Sequence, residues 1–94
     1  MPTARAGFGL SVVGGEIFVA GGEGNVDDER GVFPQTEGYD PASDSWRAVI
    51  DMRTPRHGMG ATAVAGALYV PGGADRQQFA AVDILERFVP TPVE

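Results

Sequence analysis

The chain has no cysteine and no lysine, and only one histidine and one tryptophan. Without cysteine there are no disulfides and no thiolate chemistry, and nothing marks a redox compartment. Without lysine, seven arginines face thirteen carboxylates, for a formal net charge of −6. Such a chain lacks the clustered basic residues that neutralise nucleic-acid phosphates. It is equally unsuited to anionic membrane surfaces. No apolar run approaches the roughly 18 residues a spanning helix needs. No basic stretch followed by an apolar one opens the chain, so no signal peptide is visible. No window sustains a helical period. The glycine-rich stretches precede no helix and lack the Gly-Lys-Ser/Thr ending of a phosphate loop. No Ser–His–Asp set and no paired-carboxylate motif stands out.

What is abundant is glycine, with 14 residues, and proline, with 7, in a chain of 94. That composition suits turns rather than helices. The aliphatic and aromatic content is ordinary for a folded domain and argues against disorder. At this length folding buries only about 60–65% of the surface of the unfolded chain, so a single unit is marginally stable.

Ten residues recur at an offset of 51. Met1, Thr3, Arg5, Gly7, Gly9, Val13, Gly15, Val19, Gly21 and Gly22 return as Met52, Thr54, Arg56, Gly58, Gly60, Val64, Gly66, Val70, Gly72 and Gly73. Ile17, Phe18 and Ser11 become Leu68, Tyr69 and Thr62. A period near 50 residues points to units that cannot bury their own apolar faces and must stack.

Within the first unit, Phe8–Val13 and Glu16–Ala20 read as strands joined by a Gly14-Gly15 hairpin turn. Residues 23–35 read as a loop. Thr36–Asp40 and Ser45–Ile50 are the third and fourth strands. Between them, Asp40-Pro41 supplies a side chain that bonds the following backbone and a preset φ. In the second unit Gly58–Val64, Ala67–Val70 and Val82–Phe88 are strands, Ala65-Gly66 is a turn and Ala74–Ala81 a loop. Glu86 and Pro90 match Glu37 and Pro41 at an offset of 49. No fourth strand follows, and the tail Val89–Glu94 carries two prolines that suit a ladder poorly.

The apolar run Ile17-Phe18-Val19-Ala20 ending in Gly21-Gly22, then Glu37-Gly38-Tyr39-Asp40-Pro41, then Trp46, resembles the kelch repeat. The segments Met1–Arg5 and Met52–Arg56 resemble that family's links between blades. The resemblance covers nearly the whole chain and implies an all-β fold of kelch-type β-propeller blades. Residues 5–51 are expected to form one complete four-stranded blade. Residues 52–88 are expected to form a second blade lacking its last strand, and residues 89–94 a tail. The second unit departs from the pattern with Phe88 in place of tyrosine, Pro71 before the Gly pair and no tryptophan strand. Because each blade buries both faces between neighbours, two blades leave apolar faces and strand edges in water. Met1 falls at the inter-blade position of Met52, so the strand completing Val82–Phe88 is expected upstream. We therefore expect the C-terminal part of a six-bladed propeller. The rival arrangement is a threefold ring of two-blade chains.

The resemblance also raises copper radical oxidases, whose sites set imidazoles beside tyrosines. His57 with Tyr39 and Tyr69 supplies one imidazole where at least two are needed. His57 at a strand start is expected to be a surface or turn histidine. Gly21–Asn25 partly matches a calcium-binding nonapeptide but lacks the aspartate and the stacked copies. Glu23, Asp27, Asp28 and Glu29 are expected to form a solvated acidic loop. Arg5 and Arg56 are expected to pair with Glu37 and Glu86 as scaffolding, once per unit. Tyr39 and Trp46 are expected to be interior anchors. No catalytic residue, cofactor or metal site is assigned. The expected function is a non-catalytic binding module that takes a protein or carbohydrate ligand through the loops Glu23–Gln35 and Ala74–Ala81, where the repeat varies. The alternative is part of an enzyme resembling sugar oxidases or sialic acid epimerases.

Overall fold

A computed structural model describes residues 1–78 and 80–91. The expected loop Ala74–Ala81 includes residue 79, and the expected tail includes residues 92–94, which lie outside the described residues. Seven strands form: β1 Gly9–Val13, β2 Glu16–Ala20, β3 Thr36–Asp40, β4 Ser45–Ala48, β5 Thr62–Val64, β6 Ala67–Pro71 and β7 Leu85–Phe88. They make two antiparallel sheets, β1-β2-β3-β4 and β5-β6-β7. No described residue is helical.

Local chemistry accounts for the turns. Gly14 and Gly15 sit at φ 59° and 80° between β1 and β2. Two consecutive positive φ values make a turn whose twist matches the strands. The β5–β6 turn repeats the geometry at φ 51° and 78°, but its first residue is Ala65. Between β3 and β4, Asp40 Oδ1 accepts the Ala42 amide at 3.1 Å and Oδ2 accepts the Ser43 hydroxyl at 2.9 Å.

Four strands are shorter than the sequence suggests. β1 starts after Phe8, and β5 starts at Thr62 rather than Gly58. Gly7 and Gly58 take φ 63° and 71°, which breaks the extended run ahead of each strand. β4 stops at Ala48 because the chain then crosses to the second sheet, with the Met52 amide bonded to Pro34 O at 2.8 Å. The segment before β7 is held as loop by Val82 N to Gly73 O at 3.0 Å.

Period-2 alternation and the strand register sort the side chains onto faces. Cross-strand partners place Leu10, Val12, Ile17, Val19, Glu37, Tyr39, Trp46 and Ala48 on one face of the first sheet. Val13, Phe18 and Ala20 lie on the other face. That second face packs on Ala61, Leu68, Val70 and Phe88 of the second sheet, with Met52 and Met59 closing the core. Phe18 and Leu68 are fully buried there. At about 25 cal/mol per Å² of apolar surface, this seam is the main source of cohesion between the sheets.

Repeat equivalence matches Leu68, Val70 and Phe88 with Ile17, Val19 and Tyr39. The covered face of the second sheet is therefore the counterpart of the outer face of the first. On that outer face Leu10 and Val12 are 51% and 53% exposed. Tyr39 and Trp46 lie on the same face, half-buried rather than interior. They pack on each other across β3 and β4 with ring centroids 5.0 Å apart. The expectation of interior anchors is corrected to that extent: nothing within the chain covers the side on which they lie.

Candidate functional site

Each sheet begins with an arginine turned inward. Arg5 donates to Gly21 O at 2.8 Å, Gln35 O at 2.6 Å and Glu37 Oε1 at 2.6 Å. Thr3 Oγ1 donates to the other carboxylate oxygen of Glu37 at 2.8 Å. Arg56 repeats the pattern with Gly72 O at 2.7 Å, Ile84 O at 2.9 Å and Glu86 Oε1 at 3.2 Å. Both guanidinium side chains are fully buried. Burial pulls Arg5 below the ordinary arginine range, and Glu37 opposes that pull. The expected Arg–Glu pairs are thus present. Each satisfies the carbonyls where β2 or β6 gives way to its loop, which is scaffold work.

A third ion pair was not legible in the repeat. Arg47 forks onto Glu16 with both contacts at 2.7 Å, and its guanidinium carbon lies 5.9 Å from the Phe18 ring centroid. It also donates to Thr91 O at 2.6 Å, which ties residue 91 to the first sheet.

His57 is not the surface residue expected from its place in the sequence. It is 4% exposed. Its backbone exchanges two 2.9 Å bonds with Ala74, and its ring meets Arg76 O through Nε2 at 2.6 Å and Glu23 Oε2 through Nδ1 at 3.7 Å. The position is buried because the seam between sheets runs through it: Gly58 N donates to Gly7 O at 2.8 Å and Gly22 N to Arg56 O at 2.9 Å. Tyr39, by contrast, bonds Asp44 at the β3–β4 turn, the opposite end of the sheet. No group of three or more His, Asp or Glu side chains gathers among the described residues.

The acidic loop is also more ordered than a solvated stretch. Glu23 faces His57, Asn25 Oδ1 accepts the Asp27 amide at 3.1 Å, and Asp28 Oδ2 accepts the Val32 amide at 3.1 Å. Asn25 Nδ2 donates to Val32 O at 2.9 Å. These bonds shape residues 23–32 into a self-supporting turn.

The structure brings the two variable loops together. Gln77 N donates to Arg30 O at 2.6 Å. Asp75 lies between two half-exposed guanidiniums, with Oδ2 at 3.6 Å from Arg30 Nη1 and Oδ1 at 3.4 Å from Arg76 Nε. The result is a cleft of about 640 Å³, lined by side chains that include Asn25, Glu29, Arg30, Arg76, Gln77 and Gln78. No described lining residue is apolar beyond glycine. A second cavity of about 440 Å³ lies between the linker 50–54 and β7, where Ile84, Leu85 and Phe88 face it.

Four antiparallel strands followed by three more in the same order, stacked face to face with an inward arginine in each, are β-propeller blades. No protein-family model matches the chain. Among curated proteins it is 41% identical over 73 residues to the kelch-like protein terF of Aspergillus terreus, covering 78% of this chain and 16% of that protein. It is 40% identical over 73 residues to the F-box/kelch-repeat protein At1g67480 of Arabidopsis thaliana, covering 78% and 19%. It is 39% identical over 75 residues to the influenza virus NS1A-binding protein homolog of Mus musculus, covering 80% and 11%. The solved structure of YjhT superposes with a TM-score of 0.65 and 25% identity over 77% of this chain and 21% of that one. The chain belongs to the kelch-repeat family. It spans less than a fifth of the length of these curated relatives.

Proposed function

We propose that this chain is a non-catalytic kelch module that binds a protein partner through the cleft between the loops Glu23–Gln35 and Ala74–Ala81. The observation that carries the reading is the joining of these two loops. They are where the repeat diverges, yet Arg30, Asp75, Arg76 and Gln77 tie them into one polar surface. Half-exposed arginines beside amides and carboxylates suit the charged side chains of a peptide surface. One relative is itself named for binding a protein.

The test replaces Arg30 and Arg76 with glutamate and quantifies partner binding by the protein that carries this chain. A drop of at least about tenfold in affinity, about 1.4 kcal/mol, is expected. Unchanged partner binding, or oxidation or epimerisation of a sugar by the purified protein, overturns the reading.

We further propose that residues 5–51 and 52–88 are two consecutive blades of a larger, six-bladed propeller. Support comes from the outer face of the first sheet, the counterpart of a face that is covered in the second. Light scattering tests this. A dye-silent monomer of the 94-residue chain contradicts it, and a discrete three-chain particle favours a threefold ring instead.

A further inference from the structure

The Arg76–Gln77 peptide group is held from both sides. Its carbonyl oxygen receives His57 Nε2 at 2.6 Å, and its amide donates to Arg30 O at 2.6 Å. A carbonyl oxygen only accepts, so Nε2 carries a proton, and a neutral His57 ring then has none on Nδ1. Nδ1 is the atom 3.7 Å from Glu23 Oε2. Glu23 is itself fixed, exchanging backbone bonds with Ala6 at 2.7 and 3.2 Å. Repeat equivalence makes Ala6 the counterpart of His57 and Ala74 the counterpart of Glu23, so this acid–imidazole contact crosses the seam in one direction only.

We propose that His57 is the positioning residue of the loop cleft, and that its protonation, favoured by Glu23, tightens the tie between the two loops. The proposal rests on the reading of that cleft as the binding surface. A charged imidazole donates a stronger hydrogen bond than a neutral one. Polarising the Arg76 carbonyl also strengthens the donation by the amide of the same peptide group. The effect therefore passes from His57 through one peptide plane to the Arg30 carbonyl, and it sets where the Arg30 and Arg76 side chains stand. The other charged groups nearby are engaged elsewhere. Asp75 bonds Arg76 and Arg30, and Arg56 points to Gly72, Ile84 and Glu86.

Hydrogen-exchange mass spectrometry on the full chain, in whichever assembly it adopts, tests this without a ligand. Protection of the segment containing Gln77, corrected for intrinsic exchange, is expected to be about fivefold higher near pH 5.5 than near pH 8, the range in which histidine ordinarily changes charge. His57→Gln retains a side-chain donor, so it is expected to keep protection but lose the pH dependence. Glu23→Gln is expected to weaken that dependence. Equal protection at the two pH values, or the same dependence in His57→Gln, overturns the proposal. An intact pH response together with partner binding that ignores Arg30 and Arg76 leaves the tie standing and refutes only the binding reading.

Discussion

The Phe18 ring meets the Phe88 ring edge-on, with centroids 5.5 Å apart and planes inclined by 68°. One ring comes from each sheet, so this contact joins the two blades at the centre of their seam. Phe18→Ala is expected to cost about 3–5 kcal/mol, because it opens a cavity that neither sheet can close. Phe88 lies nearer the margin and Phe88→Leu is expected to cost about 1 kcal/mol. Urea denaturation of both variants and of the double variant measures the coupling. Additive losses would show that the rings do not act as a pair.

Ala65 holds a backbone conformation, φ 51°, that the equivalent Gly14 adopts without cost. The position is exposed, so the side chain gains nothing in return. Ala65→Asn would place Asn-Gly in the turn and is expected to raise stability by about 0.5–1 kcal/mol. Ala65→Val is expected to lower it. Thermal melts of the pair are sufficient, and a lower melting temperature for the asparagine variant would contradict the account.

Arg56 places its guanidinium on two loop carbonyls and on Glu86. A lysine ammonium is a point donor and cannot reproduce that fork. Arg56→Lys is expected to cost about 3 kcal/mol, close to the loss from breaking a buried pair. Arg5→Lys is expected to behave alike. Stability that survives in both variants would remove the scaffold role assigned to them.

Tyr39 donates to Asp44 Oδ1 at 2.6 Å, and that bond, with slight desolvation and the charges of Asp44 and Asp40, raises the phenol above its ordinary value. A raised value means that the interaction supports the fold fully below about pH 10 and is withdrawn as pH climbs through the folded-state value. Ultraviolet titration of the wild-type chain and of Asp44→Asn should show Tyr39 ionising at lower pH in the variant. Superimposable curves would show that Asp44 does not hold the phenol.

The strands and turns were legible because the residues that make them act locally. Gly14-Gly15 and Asp40-Pro41 each specify a turn within four residues, and alternation does the rest. The Arg5–Glu37 and Arg56–Glu86 pairs were legible because the repeat printed them twice. Glu16–Arg47 was not, since its partners come together only once the β2–β3–β4 register is known. His57 was misjudged for a related reason. Its equivalent in the first unit is exposed Ala6, and burial at position 57 arises from the neighbouring blade rather than from its own strand. Tyr39 and Trp46 were placed on the right elements, but their depth depends on what lies over the face.

The two outer faces of this chain are unlike. The first sheet offers Leu10, Val12, Ile17, Tyr39 and Trp46, whereas the second offers Val64, Tyr69 and Leu85, the side opposite to its seam. A surface of the first kind already fits one of the second kind within the molecule, and two alike surfaces have no such precedent. Growth by stacking is thus polar, head to tail, with each added unit in the same sense as the last. Mirror-like pairing about a twofold axis would bring like against like. Closure into a ring, or runaway extension if the rotation per unit fails to close, are the outcomes such directional addition permits.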